Sequence, residues 1–183
     1  MTRFLDIMFS TLGLLFLSPI LVVIFIIGFF DNRSPIFSQI RLGRDKKPFR
    51  LIKFRTMYQN TPSVATHLAN SQQVTPFGFF LRKSKLDELP QLWNVLVGEM
   101  SLVGPRPNLF NQEDLISERQ IRNVYIVRPG ITGLAQIYKI DMSTPRLLAE
   151  TDAIMIKNFN TSTYFKYIIL TIFGMGRGDR ITL

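Results

Sequence analysis

No charged residue interrupts the chain from Ile7 to Phe30. A helix of about two dozen apolar residues is long enough to cross roughly 30 Å of hydrocarbon, so this stretch restricts the fold more than any other. Arg3 precedes it and Asp6 stands at its edge; Arg33, Arg41, Arg44, Lys46, Lys47, Arg50, Lys53 and Arg55 follow it. That cationic bias predicts that its C-terminal side lies in the cytoplasm. The run is long and no small-x-small site follows it before Asp31, which argues against a cleaved signal peptide.

Ser18-Pro19 falls near the middle of the run. Proline has no N–H and its ring presses on the carbonyl four residues back, so a kink is expected there. Two topologies follow. One is a kinked spanning helix; the other is a re-entrant helix-break-helix hairpin that enters and leaves on the same face, with both termini cytoplasmic. The residues alone leave both open.

The 183 residues suit one compact domain beside this segment, with length enough to bury a core. The formal net charge of +9 excludes few folds but favours anionic partners: an anionic bilayer surface, phosphorylated small molecules or nucleic acid. Coupled to 46% hydrophobic residues, it points first to a membrane surface. There is no cysteine, hence no disulfide framework and no thiolate metal site.

After the apolar run, Ser34 to Gln39 reads as an extended piece and Gly43 to Pro48 as a turn. Phe49 to Met57 alternates apolar with basic or polar residues over much of its length, a strand pattern. Most of these cations fit a solvated or lipid-facing surface. Lys53 and Arg55 are the candidates for phosphate binding, because both lie inside the patterned strand. Asn60 to Thr75 is polar and reads as a loop. It holds the single histidine, His67, which has no second histidine or cysteine with which to share a metal.

The centre of the chain is Arg82-Lys83-Ser84-Lys85-Leu86-Asp87-Glu88-Leu89-Pro90, two adjacent acids directly after a basic run. Leu86, Leu89, Leu92, Trp93 and Leu96 recur at helical spacing. Pro90 is tolerated in a first turn and costs about 3 kcal/mol in a helix interior. The spacing therefore predicts a helix with Asp87 as N-cap and Pro90 as its third residue. Acids there would stay ionised, as a nucleophile or a metal ligand requires; simple capping is the alternative. Further on, Arg106 sits between Pro105 and Pro107, which restrict its backbone. A guanidinium fixed in this way suits phosphate oxygens or a structural salt bridge.

The C-terminal third predicts a surface helix over Asn111 to Asn123 and a helix over Leu147 to Lys157. Tyr164 to Phe173 is apolar and aromatic but too short to span; it reads as a core helix or one lying in the bilayer interface. The tail from Gly176 looks loose.

Leu86-Asp87-Glu88-Leu89-Pro90-Gln91-Leu92-Trp93-Asn94-Val95-Leu96, Met100-Ser101-Leu102-Val103-Gly104-Pro105-Arg106-Pro107 and Arg128-Pro129-Gly130-Ile131-Thr132-Gly133-Leu134-Ala135-Gln136 occur in order. With Lys53-Phe54-Arg55-Thr56-Met57 and the Ser18-Pro19 segment, the chain resembles the small monotopic phosphoglycosyltransferases, bacterial sugar transferases that act on a polyprenyl carrier. The likeness runs from about residue 1 to 136, and more loosely to Leu183.

The resemblance implies an α/β, mainly helical protein. It would have a re-entrant membrane hairpin over 1–33, broken at Ser18 and Pro19. A cytosolic catalytic domain over 34–183, with short strands and interfacial amphipathic helices, would follow on the cytoplasmic face of the bacterial inner membrane. Asp87 would attack the sugar-side phosphorus of a UDP-sugar and release UMP, and polyprenyl (undecaprenyl) phosphate would then displace Asp87. This would be the first membrane step of glycan assembly. Mg²⁺ would assist near Asp87 and Glu88, and Glu88 would position metal or substrate. Arg82 and Arg106 match phosphate-handling positions; Arg128, Gly130 and Gln136 fall in the nucleotide-sugar region. Membrane lipids are partners on this reading and nucleic acid is not; a homodimer or contact with other glycan-assembly enzymes is left open.

Three departures stand out, the last two of which fall in or near the region expected to touch the nucleotide sugar and bear on sugar identity rather than on the chemistry. Glu99 stands where many relatives have Asp, Leu134 where Trp is common, and Tyr138 to Ala153 lacks an Asn-Gly-Arg-type sequence. A different class also fits the charge: a membrane-tethered basic module that binds anionic lipid or nucleic acid without catalysis. That reading leaves Asp87-Glu88 and the proline-flanked Arg106 without a purpose.

Overall fold

The computed structural model describes residues 2–59, 61 and 71–175. His67 and the tail from Gly176 lie outside them. The first element, α1 (Thr2–Asn32), takes in the whole apolar run as a single helix that contains Pro19. The helix assignment is continuous through Ser18-Pro19. Pro19 cannot donate to the Leu15 carbonyl one turn back, and the Ser18 hydroxyl donates to that carbonyl instead, at 2.7 Å. The serine thus satisfies the acceptor that the proline releases. Arg33, with φ of 50°, ends the helix and donates to Phe29 O.

Both ends of α1 are fastened to the rest of the protein. Near its start, Arg3 donates to Val95 O and Leu96 O at 2.5 and 2.9 Å. Buried Asp6 accepts three bonds on one oxygen, from Ser101 Oγ, Leu102 N and Tyr164 OH. Near its end, Ile24 packs with Phe54 and Leu81, and Asn32 Nδ2 donates to Met57 O. Between these anchors, Leu15, Phe16, Ile20, Val22 and Val23 are exposed.

The hairpin of β1 (Ile36–Leu42) and β2 (Pro48–Phe54) is antiparallel, with Ile36 opposite Phe54 and Leu42 opposite Pro48. Its inner face carries Phe49 and Leu51, which pack on Val95 and Met100. These latter two flank the junction of α3 (Gln91–Val97) and β3 (Ser101–Val103). Before them, α2 (Pro76–Ser84) is capped by Thr75, whose hydroxyl accepts from Gly78 N at 2.9 Å. A parallel two-stranded sheet joins β3 to β4 (Gly130–Thr132), in register Ser101 to Gly130 and Val103 to Thr132.

The remaining helices are α4 (Glu113–Ile121), α5 (Leu134–Ile137), α6 (Pro145–Lys157) and α7 (Thr161–Ile172). Leu115, Ala135 and Leu148 join α4, α5 and α6 in one apolar cluster. Another unites Val103, Ile137, Met155, Tyr164 and Tyr167 with Leu5 and Phe9 of α1. Helix α7 is a core helix along one side, where Tyr164 and Tyr167 are buried, while Ile169 and Ile172 are exposed.

Candidate active site

Asp87 and Glu88 do not head an α-helix. They lie in a single 3₁₀ turn, Leu86–Glu88, and α3 begins only at Gln91. Two local causes shift the start. Lys85 adopts a left-handed conformation (φ 59°) that ends α2 and reverses the chain. Pro90 has no N–H to give to Leu86 O, so this stretch closes with i to i+3 bonds such as Glu88 N to Lys85 O and Leu89 N to Leu86 O. Asp87 is buried within this turn, and Glu88 is partly buried beside it.

The proline-flanked loop after β3 comes to the same place. Arg106 Nη2 lies 3.0 Å from Glu88 Oε1. The course of this loop depends on glycine: a Cβ on Gly104 would stand 2.4 Å from Arg128 O, and one on Gly130 would stand 2.0 Å from Gly104 N. Only two glycines let β3 and β4 approach so closely just ahead of Arg106. Behind the loop, buried Arg119 donates to Arg106 O and Asn108 Oδ1, and to Asp152 Oδ2 through Nε and Nη2. Burial pushes the Asp152 carboxyl up, and the Arg119 guanidinium opposes that push.

Asn94 sets the 3₁₀ turn against the hairpin. Its side chain accepts from Ile52 N at 3.1 Å and donates to Arg50 O at 2.8 Å, as an added strand would. It also donates to Glu99 Oε2 at 2.6 Å, which gives Glu99 a structural task. With α3 held on β2, Glu88 and Lys53 line one open cleft together with Arg41, Gln91, Arg106 and Gly130.

The predicted site residues therefore separate. Glu88, Lys53, Arg106 and Gly130 meet at the cleft, and Asp87 adjoins it in sequence. Arg82, from α2, donates through Nε to Thr56 Oγ1 at 2.8 Å, while its buried Nη1 has no hydrogen-bond partner among the described residues. Arg55 does not line the cleft. It donates to Ser34 O and Ile36 O and lies over the Phe37 ring, where it clamps the link between α1 and β1. Arg128 donates to Gly98 O at 2.8 Å, and Gln136 Nε2 to Gly104 O at 3.3 Å, so both brace loops rather than line the cleft.

Two residues were missed by sequence reasoning. Arg41 lines the cleft and is buried. Strand parity carries the signal: Arg41 pairs with Phe49 and Phe37 with Lys53, so Arg41 and Lys53 share a face of the hairpin. Arg119, which falls in the expected surface helix over Asn111 to Asn123, is almost wholly buried. No local pattern marks it, because its partner Asp152 is on α6.

Among the described residues no group of three acidic, histidine or cysteine side chains stands together. The donors at the site are carboxylate oxygens on Asp87 and Glu88. That set suits a hard cation such as Mg²⁺, which takes one or two carboxylates and completes its shell with water and substrate phosphate. It does not build a cage that would hold a metal unaided.

A family model described as "Bacterial sugar transferase" matches residues 1–178. The chain is 41% identical over 180 residues to a UDP-glucose:undecaprenyl-phosphate glucose-1-phosphate transferase of Klebsiella pneumoniae, covering 92% of this chain and 38% of that protein. The corresponding protein of Escherichia coli (strain K12) is 39% identical over 180 residues, with the same coverage of 92% and 38%. A UDP-N-acetylgalactosamine-undecaprenyl-phosphate N-acetylgalactosaminephosphotransferase of Aeromonas hydrophila is 37% identical over 186 residues, 94% of this chain and 44% of that protein. The chain spans less than half the length of each of these relatives.

Proposed function

The chain belongs to the bacterial sugar transferase family, and from that premise we propose that it moves a sugar 1-phosphate from a UDP-sugar to polyprenyl phosphate. The observation that carries this reading is the meeting of Glu88 with Arg106 and Lys53 in one cleft, next in sequence to buried Asp87. Both substrates are anions. Their reaction depends first on neutralising phosphate charge, which fixed cations at a preorganised site supply.

In the first step, an Asp87 carboxylate oxygen bonds to the sugar-side phosphorus. The bond from that phosphorus to the oxygen bridging to the nucleotide phosphate breaks, and UMP leaves. In the second step, an oxygen of polyprenyl phosphate bonds to the same phosphorus, the aspartyl bond breaks, and Asp87 is regenerated. Glu88 keeps Arg106 aimed at the cleft, and Arg106 and Lys53 bind phosphate oxygens. Asp87 and Glu88 are the residues that would hold Mg²⁺. Bound there, the cation would add its charge to that of the side chains on the phosphate oxygens.

The lipid substrate explains the setting. Its phosphate stays at headgroup depth, so the cleft must lie at the membrane surface. A helix of 31 residues is about 46 Å long at 1.5 Å per residue. Its attachment to one body near both ends, through Arg3 and Asp6 and through Ile24 and Asn32, supports a re-entrant segment. The exposed apolar middle would enter one leaflet, and both termini would stay on the cytoplasmic face of the inner membrane. The product would be a polyprenyl diphospho-sugar, the first lipid-linked unit of a surface glycan such as O-antigen, capsule, exopolysaccharide or glycoprotein glycan.

The test is UMP release from a panel of UDP-sugars, including UDP-glucose, UDP-galactose and UDP-N-acetylgalactosamine, with polyprenyl phosphate and Mg²⁺. One donor should yield UMP and a lipid-linked sugar in equal amounts. No release from any donor, with salt-sensitive binding to anionic vesicles or nucleic acid, would leave the tethered basic module instead.

A further inference from the structure

Three basic side chains meet at the cleft beside Glu88. Arg41, Lys53 and Arg106 line it, Glu88 is the one carboxylate among the lining residues, and Glu88 already faces Arg106 at 3.0 Å. Arg41 is 6% exposed. Its Nη1 donates to Pro107 O at 3.3 Å and its Nη2 to Gln39 Oε1 at 2.5 Å, both neutral acceptors, while Nε has no hydrogen-bond partner among the described residues. Among the described residues no carboxylate lies within ion-pair distance of Arg41. The contrast with Arg119 is direct, since that guanidinium is as deeply buried but meets Asp152 through two nitrogens.

A buried cation with no counter-ion is costly to keep. Loop support alone does not call for one, because a neutral amide could serve the same two acceptors. Burial, and after it the Arg106 charge, pull the Arg41 guanidinium down to about 10, so it remains charged at neutral pH. The missing anion is therefore one that enters the cleft.

We propose that Arg41 is a direct phosphate ligand, and that with Lys53 and Arg106 it seats the nucleotide-side phosphate of the donor, the one that leaves in UMP. This rests on the transfer reaction proposed above. The choice of phosphate follows from the cleft's walls. In a displacement at phosphorus, the attacking and leaving oxygens lie on opposite sides. Glu88 lines the cleft and Asp87 does not, so the cleft is suited to the group that leaves on the far side of the phosphorus from Asp87 rather than to that phosphorus itself.

The experiment measures binding of UMP and of uridine to the full chain in detergent, for the wild type, Arg41→Gln and Arg41→Lys, without relying on turnover. UMP affinity should fall about tenfold or more in Arg41→Gln, as loss of a charge-assisted contact requires. It should fall by less in Arg41→Lys, and uridine binding should not change. The apparent KM for polyprenyl phosphate in vesicles should stay within about twofold in Arg41→Lys, which separates the nucleotide from the lipid as the source of the phosphate. Unchanged UMP affinity in Arg41→Gln, or an equal loss of uridine binding, would overturn the assignment. If Arg41→Gln does not fold, a UMP-bound structure of the wild type decides: a phosphate oxygen within hydrogen-bond reach of Arg41 is expected, and its absence refutes the proposal. UMP binding that depends on Arg41 in a protein without transfer activity would keep this inference and remove the reaction.

Discussion

Glu88 Oε1 and Arg106 Nη2 lie 3.0 Å apart, and through this pair the 3₁₀ turn that carries Asp87 is joined to the proline-flanked loop after β3. The loop is held from its other side as well, since Arg119 donates to the Arg106 carbonyl at 2.9 Å. Arg106 thus presents its side chain to the cleft while its backbone is fixed by a network outside it.

The Glu88–Arg106 pair is partly exposed on the arginine side, at 30%. Ion pairs of that kind contribute little to stability. Glu88→Gln should leave the melting temperature within about 3 °C of wild type, a shift of about 1 kcal/mol at most for a domain of this size. It should nonetheless lower UMP release by about a hundredfold, the scale seen when a preorganised charge contact is lost. Calorimetry and initial rates check the two halves separately.

Arg119→Met should be far more damaging to the fold. It leaves Asp152, wholly buried, without its cation. Breaking a buried pair on one side costs about 3–5 kcal/mol, whereas replacing both partners with apolar residues is often neutral. The double variant Arg119→Met/Asp152→Leu should therefore recover most of the melting temperature lost by Arg119→Met.

At the foot of α1, one oxygen of Asp6 accepts from Ser101 Oγ, Leu102 N and Tyr164 OH at 2.9–3.0 Å. Burial, and then the Asp6 charge, push the Tyr164 phenol well above its usual range, so it remains a donor. Asp6→Ala strands three buried donors and should cost about 3 kcal/mol; Asp6→Asn keeps an acceptor and should cost about 1 kcal/mol. Thermal unfolding in detergent would rank the two.

Much of this architecture is legible in the residues. The alternation of Phe49 to Phe54 foretells β2, and the glycine–proline spacing foretells a rigid loop at Arg106. Periodicity was a poorer guide at Asp87. Leu86 and Leu89 continue the helical spacing of α3, yet the left-handed Lys85 and the missing Pro90 N–H put them before it, in a 3₁₀ turn. Partners distant in sequence were not legible at all. Nothing near Arg119 announces Asp152, and nothing near Arg55 announces that its donors go to the Ser34 and Ile36 carbonyls rather than to the cleft. Residue type shows which side chains could bind phosphate, but tertiary packing decides which ones reach the cleft.

The chain has no cysteine, so a single introduced one reports topology cleanly. A cysteine at Thr2 should resist a membrane-impermeant maleimide in intact cells and react once the inner membrane is opened. Labelling in intact cells would mean that α1 spans the bilayer. Pro19→Leu removes the ring and restores the N–H to the helix ladder, and should move the balance toward the spanning, labelled form.

The most direct measurement is the intact mass of the protein after brief mixing with its UDP-sugar and Mg²⁺, with no polyprenyl phosphate present. The account predicts a mass increase equal to one sugar phosphate, mapped to the peptide that contains Asp87, with UMP released in equal amount. Asp87→Asn should show neither, and added polyprenyl phosphate should discharge the adduct. An Asp87→Asn variant that still transfers the sugar phosphate at the wild-type rate would contradict it.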